Sequence, residues 1–278
     1  MIWQLPNGTL DLTTQGEIMG ILNLTPDSFS DGGQLPTIDS AIARAQKMVA
    51  EGARIIDIGG ESTRPGAAEV PIAEEIARTA PVIAALKHAL PAEVALSIDT
   101  RKAAVAEAAI QAGAHIVNDV SGFTHDPAMI QLCAGTSVGI VLMHMQGTPE
   151  TMQIAPSYND VLAEVRAFFA TQLAACQSVG IAAERIVFDP GIGFGKSNAH
   201  NLALLKDIAT LAPAGRPILL GVSRKSFIPK TLGDRSISER LAATVAITAL
   251  ARQAGVPLHR VHDVQQNHDA IRMTEAIG

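Results

Sequence analysis

Residues 53–60 read ARIIDIGG, and the pattern returns four times, as EVALSIDT (93–100), AHIVNDVSG (114–122), ERIVFDPG (184–191) and HRVHDV (259–264). Each is a short run rich in Ile and Val that closes on an aspartate: Asp57, Asp99, Asp119, Asp189 and Asp263. Continuous apolar runs of this length fit strands buried on both faces, as in parallel sheets. EIMGILNL (17–24), GIVLMHM (139–145) and PILLGVS (217–223) bring the series to eight. Helical patterns lie between them. From Ser157 to Val179, for instance, Val161, Leu162, Val165, Phe168, Phe169 and Leu173 fall on one face. Gly52, Gly113, Gly180 and Gly255 each follow such a pattern and precede a strand, the expected C-terminal stop. Pro81, inside the pattern from Ile72 to Leu86, predicts a kink.

Strands alternating with helices predict either a closed (β/α)8 barrel or an open doubly wound sheet. From the strand end near Leu24 to that near His262 the spacing averages about 34 residues per unit, which suits the α/β class as a (β/α)8 TIM barrel. No composition break marks a second domain, so residues 1–278 are expected to form one. The opening IWQLPNGTLDLTT holds an Asn-Gly between apolar patches and predicts a short N-terminal β-hairpin capping the barrel floor.

With 278 residues, 47% of them hydrophobic, a large core is within reach. The 21 basic and 27 acidic residues give a net charge of −6 without a basic run, which argues against a sequence-independent grip on nucleic acid. Cys133 and Cys176 stand in no metal or redox spacing and read as reduced core thiols. MIWQLPNG lacks the order of a signal peptide, and no apolar run approaches the ~20 residues of a membrane span. A soluble, cytoplasmic protein with no membrane partner is expected.

In a barrel the carboxyl ends of all the strands meet on one face, where function collects. NLTPDSFSDGG (23–33) and GGESTRPGAAEV (59–70) are longer and more polar than plain connections, and are expected to close over that face. GIGFGKS (191–197) resembles a nucleotide loop but fails both templates, because Pro190 and Lys196 stand where glycine is needed. Its glycines instead suit a flat ligand lying close to the backbone. His144 and His262 lack zinc spacing. In SRKSF (223–227), Lys225 is either a Schiff-base nucleophile or a cation on a ligand, and the backbone near Ser226 offers an anion site; Arg224 and Lys230 fit solvated surface. Arg64, with Arg260 and His262 on one face of the last strand, makes a rim suited to phosphate or diphosphate. Asp263 fits a helix N-cap, and only one of Asn118 and Asp119 can face the lumen. Asp57 could support other groups, while Asp99 and Asp189 are the best candidates for ligand contact.

GILNLTPDSFSDGG, DIGGESTRPGA, SIDT, VNDVSG, MHMQGTPETMQ, DPGIGFGK, GVSRKSF and RVHDV stand in the order found in the dihydropteroate synthase family, which this chain resembles over nearly its whole length. The resemblance implies a pterin-binding barrel that displaces diphosphate from 6-hydroxymethyl-7,8-dihydropterin diphosphate with the amine of 4-aminobenzoate. It implies that Asp99, Asn118 and Asp189 read the pterin edge, with Lys225 opposite and Met143, Phe194 and Gly221 lining the slot. Arg64, Arg260 and His262 would hold the diphosphate, and Asn23 would help place a Mg²⁺. Aminobenzoate, or sulfonamide-type analogues of it, would meet Phe29, Thr63, Pro65, the stem of Lys225 and Ser226. Asp31 and Asp99 would stabilise the cation left when diphosphate departs, and Gly32-Gly33 would act as a hinge. A homodimer is also implied. Pro229 departs from the usual glycine and is expected to alter only the local helix, while the contribution of Arg101 is open. A methyl-transferring pterin barrel is the alternative, disfavoured by the Arg–Arg–His anion site.

Overall fold

The computed structural model describes residues 1–25, 37–64, 66–213 and 215–278. The chain begins with an antiparallel hairpin of β1 (Ile2–Leu5) and β2 (Gly8–Asp11). Leu5 pairs with Gly8, so the two turn residues are Pro6 and Asn7. The expected Asn-Gly pair is therefore split: Gly8 opens the second strand, at a φ of 135° that favours glycine.

Eight parallel strands follow: β3 (Glu17–Asn23), β4 (Ala53–Gly59), β5 (Ala95–Asp99), β6 (Ile116–Asp119), β7 (Gly139–Met143), β8 (Ile186–Asp189), β9 (Leu219–Leu220) and β10 (Leu258–Val261). They are ordered β8-β7-β6-β5-β4-β3-β10-β9. A parallel bridge from Phe188 to Ile218 joins the two ends of that order, with the Phe188 N–H donating to the Pro217 carbonyl at 3.1 Å, and so completes the ring. Helices α1 (Ile38–Ala50), α2 (Ile72–Ala89), α3 (Ala103–Ala112), α4 (Ala128–Ala134), α5 (Val161–Ser178), α6 (Asn198–Lys206), α7 (Phe227–Leu232), α8 (Leu241–Gln253) and α9 (Val264–Ile277) connect and flank the strands. The expected stops hold, with Gly52, Gly113, Gly180 and Gly255 at φ of 106°, 117°, 86° and 93°. The helix expected from Ser157 starts at Val161, because the Asp160 carboxylate accepts from the N–H groups of Leu162 and Ala163. Pro81 sits inside an uninterrupted α2. Pro229 lies in the first turn of the six-residue α7, where a missing N–H is tolerated. No described helix is long and apolar enough to cross a membrane.

Side chains alternate along each strand, and this positions the site. Ile18, Ile56, Leu96, Val117, Leu142 and Phe188 face the helices and join a core with Ala45, Ile83, Val105 and Phe169. Their neighbours Met19, Ile55, Ala95, Ile116, Val141, Val187, Leu219 and Leu258 form a second core with Trp3, Leu10 and Leu12 of the hairpin segment. The hairpin therefore caps the floor as expected. Trp3 is fully buried there, and its indole N–H donates to the Arg185 carbonyl at 2.8 Å. Two residues further along, five of the eight inward columns become polar, at Asp57, Ser97, Asn118, Asp189 and Arg260, with Asn23 and Asp99 beyond.

Gly139 shows how closely the floor is packed. A Cβ there would stand 2.3 Å from Leu5 Cδ2 and 3.1 Å from Trp3 Nε1. Gly139→Ala is expected to cost about 1–3 kcal/mol through overpacking, read as a lower urea midpoint at unchanged slope. A loss below about 0.5 kcal/mol would show that the hairpin yields freely.

Candidate active site

The polar ends of the inward columns converge on Arg260. Its Nε donates to Asp57 Oδ2 at 2.6 Å and its Nη2 to Asp99 Oδ2 at 2.6 Å. Asn118 Nδ2 donates to the same Asp57 oxygen at 3.1 Å. Asp57 and Asp99 each keep a second, buried oxygen without a partner. Burial raises the Asp99 pKa to about 7; Arg260 opposes this, but the carboxylates of Asp57, Glu75 and Asp119 add to it. The Arg260 pKa is raised as well: burial disfavours its charge, but the two acids outweigh that and keep it charged. Asp57 therefore does more than support its neighbours: it shares the guanidinium with Asp99.

Across the mouth, Asp189 Oδ1 accepts the Gly191 N–H at 2.7 Å, and burial raises this carboxyl. Lys225 Nζ donates to the Ile192 carbonyl at 2.5 Å and stands 4.6 Å from the centre of the Phe194 ring. Burial lowers Lys225 to about 8, against the pull of Asp189. Two glycines keep the space open. A Cβ on Gly221 would lie 3.6 Å from Asp189 Oδ2, 3.8 Å from Lys225 Nζ and 3.9 Å from Arg260 Cβ. A Cβ on Gly59 would lie 3.5 Å from Asn23 Oδ1 and 3.8 Å from Asp99 Oδ2. Met143 is buried and pairs in register with Asp189. Acids and cations thus surround a cleared space at the strand ends.

The segment after β8 is built to hold this geometry. Gly191, Gly193 and Gly195 all have positive φ, and its carbonyls are claimed in turn: Ile192 by Lys225, Gly193 by Gln153, Phe194 by Lys196 and Gly195 by Tyr158. Lys196 is 1% exposed and also donates to the His144 carbonyl, with its Nζ 3.0 Å from His144 Nδ1. Burial holds His144 neutral, with a pKa near 3, and brings Lys196 down to about 7. The residue that spoils the nucleotide template is therefore a buried clamp on the segment carrying Phe194.

His262 lies at the outer edge. Its N–H donates to Ser223 Oγ at 3.2 Å, and its Nδ1 stands 3.0 Å from the same hydroxyl. Burial lowers its pKa to about 3, reinforced by Arg260 and Arg224, so the ring is neutral. With Nδ1 accepting the Ser223 proton, the neutral ring carries its own proton on Nε2 as an outward donor.

Some expectations need correction. Asp263 stands at the start of α9 but makes no side-chain cap; its carboxylate grips the Arg224 guanidinium instead. Arg224 is consequently no solvated surface residue. Its φ of 59° and its carbonyl bond from Arg240 tie down the turn before Lys225. Asp119 faces away from the lumen and holds the turn at Ser121 and Phe123, so Asn118 is the lumen residue of that pair. Arg101 and Lys102 lie buried against Glu61, a cluster the sequence did not reveal. Arg64 and Ser226 are exposed and Thr63 is half-buried, and none of them meets the central cluster directly. Phe29, Asp31, Gly32, Gly33 and Pro65 lie outside the described residues. The two cysteines are free and buried, and burial pushes Cys133 to about 12 and Cys176 to about 11.

A parallel barrel whose mouth gathers acids and cations around a cleared space has the build of a ligand-binding enzyme, and the family model described as pterin binding enzyme matches residues 19–262. The dihydropteroate synthase of Escherichia coli strain K12 is 46% identical over 268 residues, 96% of this chain and 93% of that one. The Yersinia pestis dihydropteroate synthase, solved in complex with a sulfonamide drug, matches with a TM-score of 0.93 at 42% identity, over 100% of this chain and 99% of that one. The Burkholderia cenocepacia enzyme complexed with 7,8-dihydropteroate matches with a TM-score of 0.89 at 43% identity, over 99% and 96%. Within the pterin-binding enzymes, this chain belongs to the dihydropteroate synthases.

Proposed function

We propose that the chain joins 6-hydroxymethyl-7,8-dihydropterin diphosphate to 4-aminobenzoate in folate biosynthesis, releasing diphosphate, by a dissociative displacement. The observation that carries this reading is the ring of Asp99, Asn118, Asp189, Lys225 and Arg260 around the space cleared by Gly59 and Gly221. Asp99, Asn118 and Asp189 bind the hydrogen-bonding edge of the pterin. The orphaned oxygen of Asp99 and the uncommitted one of Asp189 are acceptors waiting for ligand N–H groups. Lys225 bonds the opposite edge, and Met143, Phe194 and Gly221 line the slot. As diphosphate leaves, positive charge spreads from the exocyclic methylene into the ring, and the carboxylates of Asp99 and Asp31 stabilise it. Fixed charges in a water-poor site do this without reorganising.

Arg64, Arg260 and His262 receive the diphosphate. Arg260 spends two donors on Asp57 and Asp99, and its Nη1 remains for the anion. His262 offers Nε2–H, and an arriving anion raises its pKa and favours the charged ring. Aminobenzoate lies against the Lys225 stem with Phe29, Thr63 and Pro65, its carboxylate near Ser226. Asn23 Oδ1 offers a hard oxygen in the cleared space beside Gly59 and would help hold a Mg²⁺ carried by the substrate diphosphate. When bound, it neutralises charge on the departing diphosphate. Exposed Leu250, Met273 and Ile277 on α8 and α9 support a homodimer, and the free buried thiols support a reducing, cytoplasmic setting.

The test is diphosphate release measured beside labelled aminobenzoate incorporation: equal amounts of both are expected, and incorporation without diphosphate would refute the reading. The pH dependence carries a second expectation. Below about 7 Asp99 gains a proton, and above about 8 Lys225 loses one. Since both charges are used, kcat/KM for the pterin substrate rises through the first value and falls through the second, giving a narrow bell. A profile flat from pH 6 to 9 would contradict it.

A further inference from the structure

The segment from Gly60 to Pro71 leaves the barrel after β4 and returns as α2, and it carries Thr63 and Arg64. Its two ends are clipped together by a single buried ammonium. Lys102 Nζ donates to Glu61 Oε2 at 2.6 Å, to the Val70 carbonyl at 2.6 Å and to Glu75 Oε2 at 2.8 Å, which uses all three of its protons. Glu61 closes the clip from the other side, accepting the Val70 N–H at 2.8 Å and Arg101 Nε at 3.2 Å. Glu61, Glu75, Arg101 and Lys102 are all buried, and the more exposed Glu69 carboxylate adds a third acid 3.7 Å from Arg101 and 3.8 Å from Lys102. Arg78 adds a bond to the Gly60 carbonyl at 2.8 Å, and a Cβ on Gly60 would stand 2.7 Å from Thr79 Cγ2, so the exit has little room to shift.

Lys102 lies three residues beyond Asp99, at the start of α3. The clip therefore fastens the Thr63–Arg64 segment to the strand end that carries a central acid of the site. A buried ion group of this kind is costly to desolvate and contributes little net stability against an apolar replacement, while breaking it is expensive. Its geometry gives it another use. We propose that Lys102 and Glu61 are positioning residues, which hold Thr63 and Arg64 in register with the pterin slot so that aminobenzoate and the departing diphosphate meet them. This rests on the proposed roles of Thr63 and Arg64.

The variants are Lys102→Met and Glu61→Gln. The first leaves Glu75 buried without its cation and Glu61 with Arg101 alone, and is liable to unfold. The second retains an amide oxygen for Val70 while removing one of the two carboxylate charges that hold Lys102, and it keeps the proposal testable. Each folded variant is assayed for the KM of aminobenzoate, for kcat and for the Kd of a pterin lacking the diphosphate, with Arg64→Ala as control. The expected result for Glu61→Gln is a KM raised about tenfold and a lowered kcat, with pterin affinity within twofold of the parent. An unchanged KM overturns the inference, as does an equal loss of pterin affinity, which would mark a structural role alone. If Arg64→Ala itself leaves KM and kcat unchanged, the reading of Arg64 fails first and the inference falls with it.

Discussion

Arg260→Met is expected to lower the free energy of unfolding by about 3–5 kcal/mol and to cut turnover at least a hundredfold. The reason is electrostatic bookkeeping inside the barrel. Asp57 is fully buried and Asp99 nearly so, and one guanidinium serves both. Without it, two carboxylates at adjacent strand ends face each other in a poorly solvated space, each still holding an unpartnered oxygen. Methionine keeps the length of the stem, so the loss reports charge more than packing. Urea unfolding at pH 8 measures it, because urea leaves charges unscreened. Asp57→Asn in the Met background should recover part of the stability, since it removes one of the stranded charges. A loss below about 1 kcal/mol would show that water reaches these acids freely.

Asp189→Ala is expected to weaken pterin binding more than a hundredfold while costing little stability. One carboxylate oxygen holds the Gly191 N–H, and its loss costs about 1 kcal/mol. The other faces the space that Gly221 clears, and there it accepts from the ligand. Removing an ionised acceptor from a buried ligand N–H costs about 3 kcal/mol, or about 150-fold in Kd. A second effect has the same sign. Asp189 is the acid that favours the charged form of Lys225, so without it the ammonium loses its proton at a still lower pH. Calorimetric titration with a pterin, beside the urea midpoint, separates the two costs. Equal losses in binding and folding would mean that Asp189 serves only to hold the Gly191 turn.

The barrel was legible because its strands are buried on both faces and so appear as unbroken apolar runs between helical patterns. The floor hairpin was legible for a related reason: Trp3, Leu10 and Leu12 are apolar at a chain end that otherwise has no core to join. That Asp99, Asn118, Asp189 and Lys225 share the barrel mouth was legible because polar residues at such strand ends have few structural reasons to be there; their ligand roles came from the family resemblance and stand as proposals. What the sequence concealed were contacts made across the fold. Arg260 was read as a rim cation, yet it lies 203 and 161 residues from the acids it grips. Nothing local marks Asp57 as sharing that guanidinium, so its sequence suggests only a supporting residue. Asp263 has the look of an N-cap, but the left-handed turn at Arg224 delivers a guanidinium to it, and an ion pair outcompetes a backbone N–H. The Lys102 clip draws on segments 27 to 41 positions away, so no window on the sequence contains it. Its one trace was two consecutive cations, Arg101 and Lys102, in the short connection between Asp99-Thr100 and the apolar start of α3.

The proposed chemistry needs the acids and cations of the barrel mouth to grip one flat heterocycle. A crystal structure with a bound pterin tests this most directly. The ring is expected to lie between the side chains of Asp99 and Asp189, its amino-pyrimidine edge on those carboxylates and on Asn118, with Lys225 at the opposite edge. A pterin seated anywhere else, with Asp99 still paired only to Arg260 and the Gly221 space unfilled, would contradict it.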